Sequence, residues 1–303
     1  MLKLNADARG QEEAAFYKLV TLDDTTGDLD TSMLVPCLDA AFDAEGGASH
    51  LLLIDVSATH EPPVAREALL ELNGVPPEVR LLGIIEALAR FHATWWEHPL
   101  LNRRPATLLA EARSSRAASA QHWQKHREDY EFFIRTHGEG VSAKTRALYE
   151  RVLGAHETIW TKYLGLRVTD MSNLTLTHND LYLTQFLSPK VASGPTYLVD
   201  FQSVCTDFAA RDLVYLLATF WTREQWRRLE RKLLSHYHQI LTEHGVRGYS
   251  LETLFNDYRL ALTDMIFHPL WDTTYGADAL YWGPKLRCLL DAYEDWNCAE
   301  LLE

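Results

Sequence analysis

Hydrophobic and polar positions divide the chain into a short mixed first part and a long helical second part. Residues 12–20 place apolar side chains three or four positions apart, which is typical of an amphipathic helix. Residues 34–42 and 51–55 form short apolar runs that predict strands, and the glycine-containing segment 43–49 between them predicts a hairpin turn. Prolines and weak periodicity in residues 57–78 indicate a connector.

The second part has helical periodicity almost throughout, interrupted once. A β-rich insert is predicted at residues 174–202, where the apolar runs are short and separated by turn residues. The whole pattern therefore predicts an α+β chain in which a small sheet-containing piece precedes a large helical piece. The predicted helices cover 81–96, about 106–136, 143–163, 207–219, 223–244, 251–267 and 277–302.

Composition narrows the class of protein. The 303 residues include 29 basic and 42 acidic side chains, for a net charge of −13. Nucleic acid is not expected as a partner, because binding a phosphate backbone requires a basic surface. No apolar run reaches the length of a membrane span or a signal peptide, so we expect a cytoplasmic protein without a membrane partner. The four cysteines are widely spaced and are expected to be reduced thiols.

Candidate chemistry is concentrated in the β-rich insert. His178 lies two residues before Asp180, Gln185 follows Asp180 by five positions, and Asp200 ends an apolar strand before Phe-Gln. Phosphoryl transfer from ATP requires a carboxylate to orient and deprotonate the acceptor hydroxyl, and oxygen ligands to hold Mg²⁺ against the phosphates. The spacing of Asp180, Gln185 and Asp200 suits that division of roles.

These residues, followed by Arg211-Asp212 and an apolar helix, resemble the signature of the aminoglycoside phosphotransferase superfamily, and more narrowly its choline kinase-like and ecdysteroid kinase-like branch. The segments 51–57 and 89–96 are also similar to that family. The resemblance implies a protein kinase-like fold with two lobes. Residues 1–56 would be the remnant of the nucleotide-binding lobe with its hinge, and 57–303 the helical catalytic lobe.

The resemblance also implies where ATP binds. The backbone of the hinge would hold adenine, and its residues are Leu53, Ile54, Asp55 and Val56. Lys3 would contact the phosphates and pair with Glu13, or with Glu12, on the following helix. Family members carry a Gly-rich hairpin before this lysine, and the sequence has none there. A fragment of a longer product, a late start and a degenerate copy are all open explanations.

The implied roles are Asp180 as catalytic base, His178 as a brace of its loop, and Gln185 with Asp200 as Mg²⁺ ligands. Gln185 stands where the family usually has Asn, so its amide would bind the metal from a longer side chain. The expected acceptor is the hydroxyl of a small molecule that the sequence does not identify. Candidate lining residues of its pocket are Trp221, Trp271, Trp282, Asp264 and His268, each with an alternative role in the core.

Two other functions remain open at this point. A catalytically dead kinase-fold protein that binds a ligand or partner would explain Gln185 and the absent hairpin. A metal-dependent hydrolase built on His178, Asp180 and Asp200 would require further ligands. Asp212 has two interpretations as well, a helix N-cap or a support for the catalytic loop, while His92 is expected to be a buried core histidine.

Overall fold

A computed structural model describes residues 1–5, 8–22, 29–43, 47–103, 115–191 and 193–303. The first part of the chain folds as a small antiparallel sheet. Strand β3 (Ser49–Leu53) lies in the middle, between β1 (Leu2–Asn5) and β2 (Cys37–Phe42). Helix α1 (Ala8–Tyr17) packs against this sheet and continues into a π-helical turn at Lys18–Leu22. The predicted helix, strands and hairpin pairing are therefore all present.

Two predictions in this part need correction. The strand predicted from residue 34 begins at Cys37, and Leu34 forms an isolated bridge to Leu198 instead. Pro36 explains the late start, because proline has no N–H to donate to a strand ladder. The predicted connector also contains structure, a two-residue strand β4 (His60–Glu61) and the short helix α2 (Arg66–Leu70).

The next part of the chain is helical, as the periodicity predicts. The long helix α5 begins with Ser115 as its N-cap, whose hydroxyl accepts a hydrogen bond from Ala118 N at 3.1 Å. The prediction that it starts near residue 106 falls partly on residues 104–114, which lie outside the described part. The helices are α3 (Glu78–Trp95), α4 (Leu100–Arg103), α5 (Arg116–His137), α6 (Ala143–Gly154), α7 (His156–Ile159) and α8 (Gly165–Asp170).

The predicted β-rich insert forms two small antiparallel sheets. In one, β5 (Thr175–Thr177) pairs with β8 (Cys205–Asp207), which lies beyond the predicted end of the insert. In the other, β6 (Phe186–Pro189) lies between β4 and β7 (Tyr197–Leu198). The loop between β5 and β6 and the turn after β7 therefore lie side by side, and these two segments carry the candidate chemistry.

The last part of the chain is a helical bundle that buries much of the core. Helices α10 and α11 begin at capping residues, with a capping box at Thr222 and Gln225. Two predictions need correction. Helix α12 was not predicted, although Pro269 near its start is a helix-start signal. The helix predicted to reach residue 302 ends at Asp295. The helices are α9 (Ala210–Ala218), α10 (Arg223–Glu243), α11 (Leu251–Met265), α12 (His268–Thr274) and α13 (Ala279–Asp295).

The structure also bears on the cysteines and on whether a helix could span a membrane. The four cysteines are free, and three of them, Cys205, Cys288 and Cys298, are buried. Within the described ranges, no helix combines the length and the apolar character needed to cross a bilayer. The domain boundary placed between residues 56 and 57 remains a prediction.

Candidate active site

The loop after β5 carries His178 and Asp180. His178 is fully buried, and its Nε2 donates a hydrogen bond to the carbonyl oxygen of Val199 at 2.9 Å. Its ring also packs against Phe201, with 5.1 Å between the ring centroids. Both contacts are with residues on either side of Asp200. His178 therefore ties the loop of Asp180 to the segment that carries Asp200.

Asp212 holds this loop in place through hydrogen bonds. Its carboxylate accepts hydrogen bonds from the backbone N–H groups of His178 at 2.7 Å and Asn179 at 2.9 Å, and from His92 Nε2 at 3.0 Å. Burial by itself would raise the pKa of Asp212, but the bonds and charges of His92 and His178 outweigh it and the pKa is lowered. The loop-support interpretation is confirmed. The N-cap interpretation is wrong, because Asp212 lies inside α9 and its oxygens bind the loop.

His92 has the core role that was expected. It is completely buried, and its second ring nitrogen, Nδ1, lies 2.7 Å from the hydroxyl of Tyr237. Both ring nitrogens of His92 therefore have hydrogen-bond partners, Asp212 on α9 and Tyr237 on α10. The chain of contacts from Tyr237 through His92 to Asp212 links two helices of the bundle to the loop that bears Asp180.

Asp180 lies at the edge of an open cavity. Burial raises the pKa of its carboxyl group. Electrostatic interactions with His178 and Lys285 lower the pKa and oppose that shift, while those with Asp200 and Asp272 add to it. A carboxyl group with a raised pKa holds a proton more readily than an exposed aspartate, which suits a residue that accepts one during a reaction.

Asp200 is the point where three side chains converge. Lys3 Nζ lies 3.1 Å from its Oδ1, and the amide nitrogens of Gln185 and Gln202 lie 3.3 and 3.2 Å from its Oδ2. Its backbone has a φ of 72°, a left-handed conformation that is uncommon outside glycine. Gln185 and Asp200, which were predicted to share a metal, are therefore in contact.

Phe201 holds Asp200 in place. It is completely buried and stacks on Phe16 of α1, with 4.4 Å between the ring centroids and 20° between the planes. It also lies against Phe91 of α3, at 5.5 Å. Burying a phenylalanine stabilises the fold by about 1.5–3 kcal/mol. Phe201 therefore ties the segment that carries Asp200 to both α1 and α3.

The predicted pair of Lys3 and Glu13 is present. Lys3 Nζ lies 2.5 Å from Glu13 Oε2, so one ammonium group bridges α1 and Asp200. Burial by itself lowers the pKa of Lys3, but the hydrogen bonds and charges of Glu13 and Asp200 raise it above its ordinary value. Lys3 therefore carries a firm positive charge beside Asp200.

The predicted hinge leaves the sheet at the end of β3. Leu53 N donates to Met1 O at 2.9 Å, and Ile54 N donates to Pro36 O at 3.0 Å. The carboxylate of Asp55 then accepts from Ser57 N at 2.9 Å, and Val56 O accepts from His60 N at 2.8 Å. These hydrogen bonds hold residues 53–56 in place where the chain leaves the sheet. Among the described residues that line the cavity of Asp180, none belongs to this segment, so its role in binding adenine remains a prediction.

The cavity beside Asp180 has a volume of about 720 Å³. Of the candidate lining residues, Trp271, Asp264 and His268 do line it. Trp221 lies in the core, and Trp282 packs against Phe133 at 5.6 Å, so neither prediction held for the cavity. Other lining residues are Glu12, His122, Lys125, His126, Asp129, Asn179, Tyr182, Gln202, Ser203, Val204, Arg211, Tyr215, Met265, Asp272 and Tyr281.

Behind the cavity lies a buried lysine that the sequence did not single out. Lys285 Nζ donates to Asp272 Oδ2 at 2.7 Å and lies 4.3 Å from the ring centroid of Tyr281. Burial lowers its pKa, and Asp272 partly restores it. The adjacent His268 has a pKa lowered to about 4, first by burial and then by the charge of Lys285. His268 is therefore neutral near pH 7.

A second group that the sequence analysis missed also lines the cavity. His122 and His126 of α5 both contact Asp264 of α11, whose other oxygen pairs with Arg211. The four-residue spacing of the two histidines is a visible sequence signal, since it places both rings on one face of a helix. Asp264 is more than 130 residues away, so the sequence gave no means of pairing it with them.

One protein-family profile matches this chain, and so do several solved structures. A protein-family profile described as "Uncharacterized oxidoreductase dhs-27" (DUF1679) matches residues 80–272, which is more than half of the chain. The matched range contains the loop of Asp180 and the segment of Asp200. Comparison with curated proteins finds no match.

Solved structures match over nearly the whole chain. Choline kinase LicA from Streptococcus pneumoniae is 16% identical over 97% of this chain and 85% of that chain, with a TM-score of 0.51. Plasmodium vivax ethanolamine kinase is 11% identical over 95% and 73%, with a TM-score of 0.54. A putative aminoglycoside phosphotransferase from Ralstonia eutropha is 12% identical over 99% and 85%, with a TM-score of 0.56.

At these identities the structural matches establish the fold. They confirm the α+β, protein kinase-like architecture that the sequence motifs implied, with a small sheet beside a larger helical body. The chain has this fold and belongs to the DUF1679 family, described as uncharacterized oxidoreductase dhs-27.

Proposed function

We propose that this protein is an ATP-dependent phosphotransferase that acts on the hydroxyl group of a small molecule. The observation that carries the proposal is the convergence of Lys3, Gln185 and Asp200 beside the loop of Asp180. Contacts between residues almost two hundred positions apart assemble one cation, one amide and one carboxylate at a single point. That set of groups matches what phosphoryl transfer requires.

Asp200 and Gln185 would hold Mg²⁺. A carboxylate and an amide oxygen are ligands that this ion prefers, and both side chains are partly exposed. Gln185 is placed with its nitrogen toward Asp200, and a half-turn of the amide would present its oxygen instead. When bound, Mg²⁺ would neutralise charge on the phosphates. Lys3 would contact the phosphates, and residues 53–56 would hold the adenine.

Asp180 would act as the catalytic base. It lies where the cavity meets the loop braced by His178 and Asp212, so its position is set by buried contacts. Its carboxylate would orient the acceptor hydroxyl and take its proton as the oxygen attacks the terminal phosphorus of ATP. The bond from that phosphorus to the bridging oxygen would break, and ADP would leave. The raised pKa of Asp180 suits this step, because a more basic carboxylate accepts a proton more readily.

The cavity would bind the acceptor. Its lining mixes aromatic rings with charged and polar groups, as in sites for small polar molecules. Asp129 is buried there, with one oxygen bonded to Lys125 at 2.9 Å and to Thr274 at 2.8 Å, and with its Oδ2 lacking a partner within the described structure. The structural neighbours include a choline kinase, an ethanolamine kinase and a putative aminoglycoside phosphotransferase, whose names refer to small molecules of this kind.

A transferase fits the architecture better than hydride transfer, although the family description uses the word oxidoreductase. Dinucleotide-binding enzymes commonly use a parallel sheet with a Gly-rich turn at a strand end. The paired strands in the sheets described here are antiparallel throughout. The hydrolase alternative is also weaker, because Asp200 is contacted by Lys3 and two amides, a setting suited to a metal that carries phosphate.

The proposal is tested by separating nucleotide binding from turnover. Calorimetry should show binding of Mg-ATP, and ADP release should rise when a suitable alcohol is added from a panel. Asp180→Asn should lower turnover by about 100-fold or more, the usual contribution of a general base, with little change in Mg-ATP affinity. Asp170→Asn, an exposed aspartate on α8, is the matched control and should be unchanged.

Two results would contradict the proposal. One is a wild-type protein that binds no Mg-ATP. The other is an Asp180→Asn variant that retains more than a tenth of the wild-type turnover. Mg-ATP binding without turnover of any alcohol would favour the catalytically dead alternative.

A further inference from the structure

A cluster of two histidines and one aspartate lies on the wall of the acceptor cavity, away from Asp200. Asp264 Oδ1 lies 2.6 Å from His122 Nε2 and 3.0 Å from His126 Nε2. All three residues line the cavity of about 720 Å³. The three donor atoms lie within 4.8 Å of one another. They are therefore close enough to share one ion.

The ligand types and their spacing suit a transition metal. Histidines four positions apart on a helix direct both rings to one side, and a helix carrying such a pair is a common zinc-binding arrangement. Ligand atoms at about 2.0–2.1 Å around a tetrahedral Zn²⁺ lie roughly 3.3 Å apart. The oxygen of Asp264 lies closer than that to both histidine nitrogens, at 2.6 and 3.0 Å, so side-chain rotations that move the ligands apart would make room for the ion.

The groups behind the ligands would hold them in place. Arg211 pairs with the second oxygen of Asp264, and the ring of His126 stacks on Phe267 with 4.5 Å between the centroids and 10° between the planes. Hydrogen-bonded carboxylates and packed imidazoles are typical of the outer shell of a metal site. The guanidinium of Arg211 also lies 3.4 Å from Asn179 Oδ1, the residue next to Asp180.

The position of the cluster leaves room for an exchangeable ligand. Three protein ligands leave at least one coordination position, and catalytic or ligand-binding zinc sites have this composition. The remaining position would face the cavity, because the three residues form part of its lining. Imidazole ligands favour Zn²⁺, Ni²⁺ or Cu²⁺ over Mg²⁺, which prefers oxygen. The cluster is therefore chemically distinct from the pair of Gln185 and Asp200.

We propose that His122, His126 and Asp264 form a binding site for a divalent transition metal, with Zn²⁺ as the reference ion, and that its open position faces the acceptor cavity. This site is separate from the one proposed for Mg²⁺ and does not depend on phosphotransferase activity. The competing explanation is a metal-free network in which both histidines simply donate hydrogen bonds to Asp264.

The experiment uses the full chain, stripped of metal with a chelator that is then removed. Zn²⁺ affinity is measured by competition with a chromogenic chelator, and Co²⁺ is added separately to record its visible absorption. The wild type should bind one equivalent of Zn²⁺, and excess Mg²⁺ should not displace it. Bound Co²⁺ should give the visible bands of a low-coordinate ion.

Variants assign the site to these side chains. His122→Ala should weaken Zn²⁺ binding at least tenfold and abolish the Co²⁺ bands, and this variant should fold because the side chain of His122 is 22% exposed. His126→Ala should have the same effect. His50→Ala is the matched control, since His50 pairs with the single carboxylate of Asp39 at 2.8 Å, and its Zn²⁺ affinity should stay within twofold of wild type.

Two outcomes would overturn the proposal. One is a wild-type protein whose Zn²⁺ affinity is no higher than that of His122→Ala. The other is displacement of the ion by Mg²⁺. The first outcome would leave the cluster as a hydrogen-bonded network without a metal, and the second would place the bound ion in a site that Mg²⁺ also occupies. Both outcomes are independent of the result for Mg-ATP binding.

Discussion

Asp200 and Asp212 both contact the loop that carries Asp180, and they differ in exposure and in the kind of partner they have. The side chain of Asp212 is 0% exposed and is bonded to two backbone N–H groups and a buried histidine. The side chain of Asp200 is 27% exposed and is contacted by Lys3, Gln185 and Gln202, whose long side chains can turn away. Partners fixed in the core indicate a structural carboxylate, whereas movable partners indicate one that can exchange them for a ligand.

The largest difference should appear in stability. Asp212→Ala leaves two loop N–H groups and His92 without their buried acceptor, and breaking a buried charged network costs about 3–5 kcal/mol. Asp200→Ala removes a partly exposed carboxylate and should cost less than about 1 kcal/mol. Urea denaturation of both variants measures this directly. Equal losses in the two variants would remove the distinction between the two aspartates.

A smaller effect is expected on nucleotide affinity at Lys3. Lys3→Met keeps the length of the side chain but removes the charge between Glu13 and Asp200. Mg-ATP affinity should fall at least tenfold, which corresponds to about 1.4 kcal/mol. Calorimetry checks this, with Lys18→Met, an exposed lysine after α1, as the control. An unchanged affinity in Lys3→Met would mean that Lys3 serves the fold and not the phosphates.

The smallest effect should be seen in the pH dependence of stability. The pKa of Asp212 is lower in the folded protein than its ordinary value, so the folded state favours the ionised form. The resulting stability is fully present above the unfolded pKa of about 3.9 and is lost as the pH falls through the folded pKa. Denaturation between pH 6 and pH 3, values chosen as roughly spanning that range, should show a shallower decline for Asp212→Ala than for the wild type. Parallel curves would contradict the assignment.

Sequence patterns predicted the parts of the site that depend on local spacing. Asp180 and Gln185 are five residues apart in one loop, and Lys3 and Glu13 belong to consecutive elements, so their proximity follows from the motif and the family resemblance. Apolar periodicity predicted the β-rich insert and most of the helices, because side chains that pack in the core recur on one face of each element.

Other features depend on the tertiary fold and had no local signal. Asp264 meets His122 across 142 positions, and Lys285 meets Asp272 between two helices. Whether a polar residue faces a cavity or the core is decided by how helices pack. Periodicity therefore could not separate Trp271, which lines the cavity, from Trp221, which is buried in the core.

If Asp200 holds the metal of a bound nucleotide, as we propose, nucleotide affinity should depend on Mg²⁺ through this residue. ATP binding is measured by calorimetry with and without Mg²⁺, for the wild type, Asp200→Ala and the control Asp170→Asn. Mg²⁺ should tighten ATP binding at least tenfold, or about 1.4 kcal/mol, in the wild type and the control. In Asp200→Ala, Mg²⁺ should change the affinity by less than twofold. If Asp200→Ala keeps the full Mg²⁺ dependence of the wild type, Asp200 does not hold the metal and the proposed division between the two aspartates is wrong.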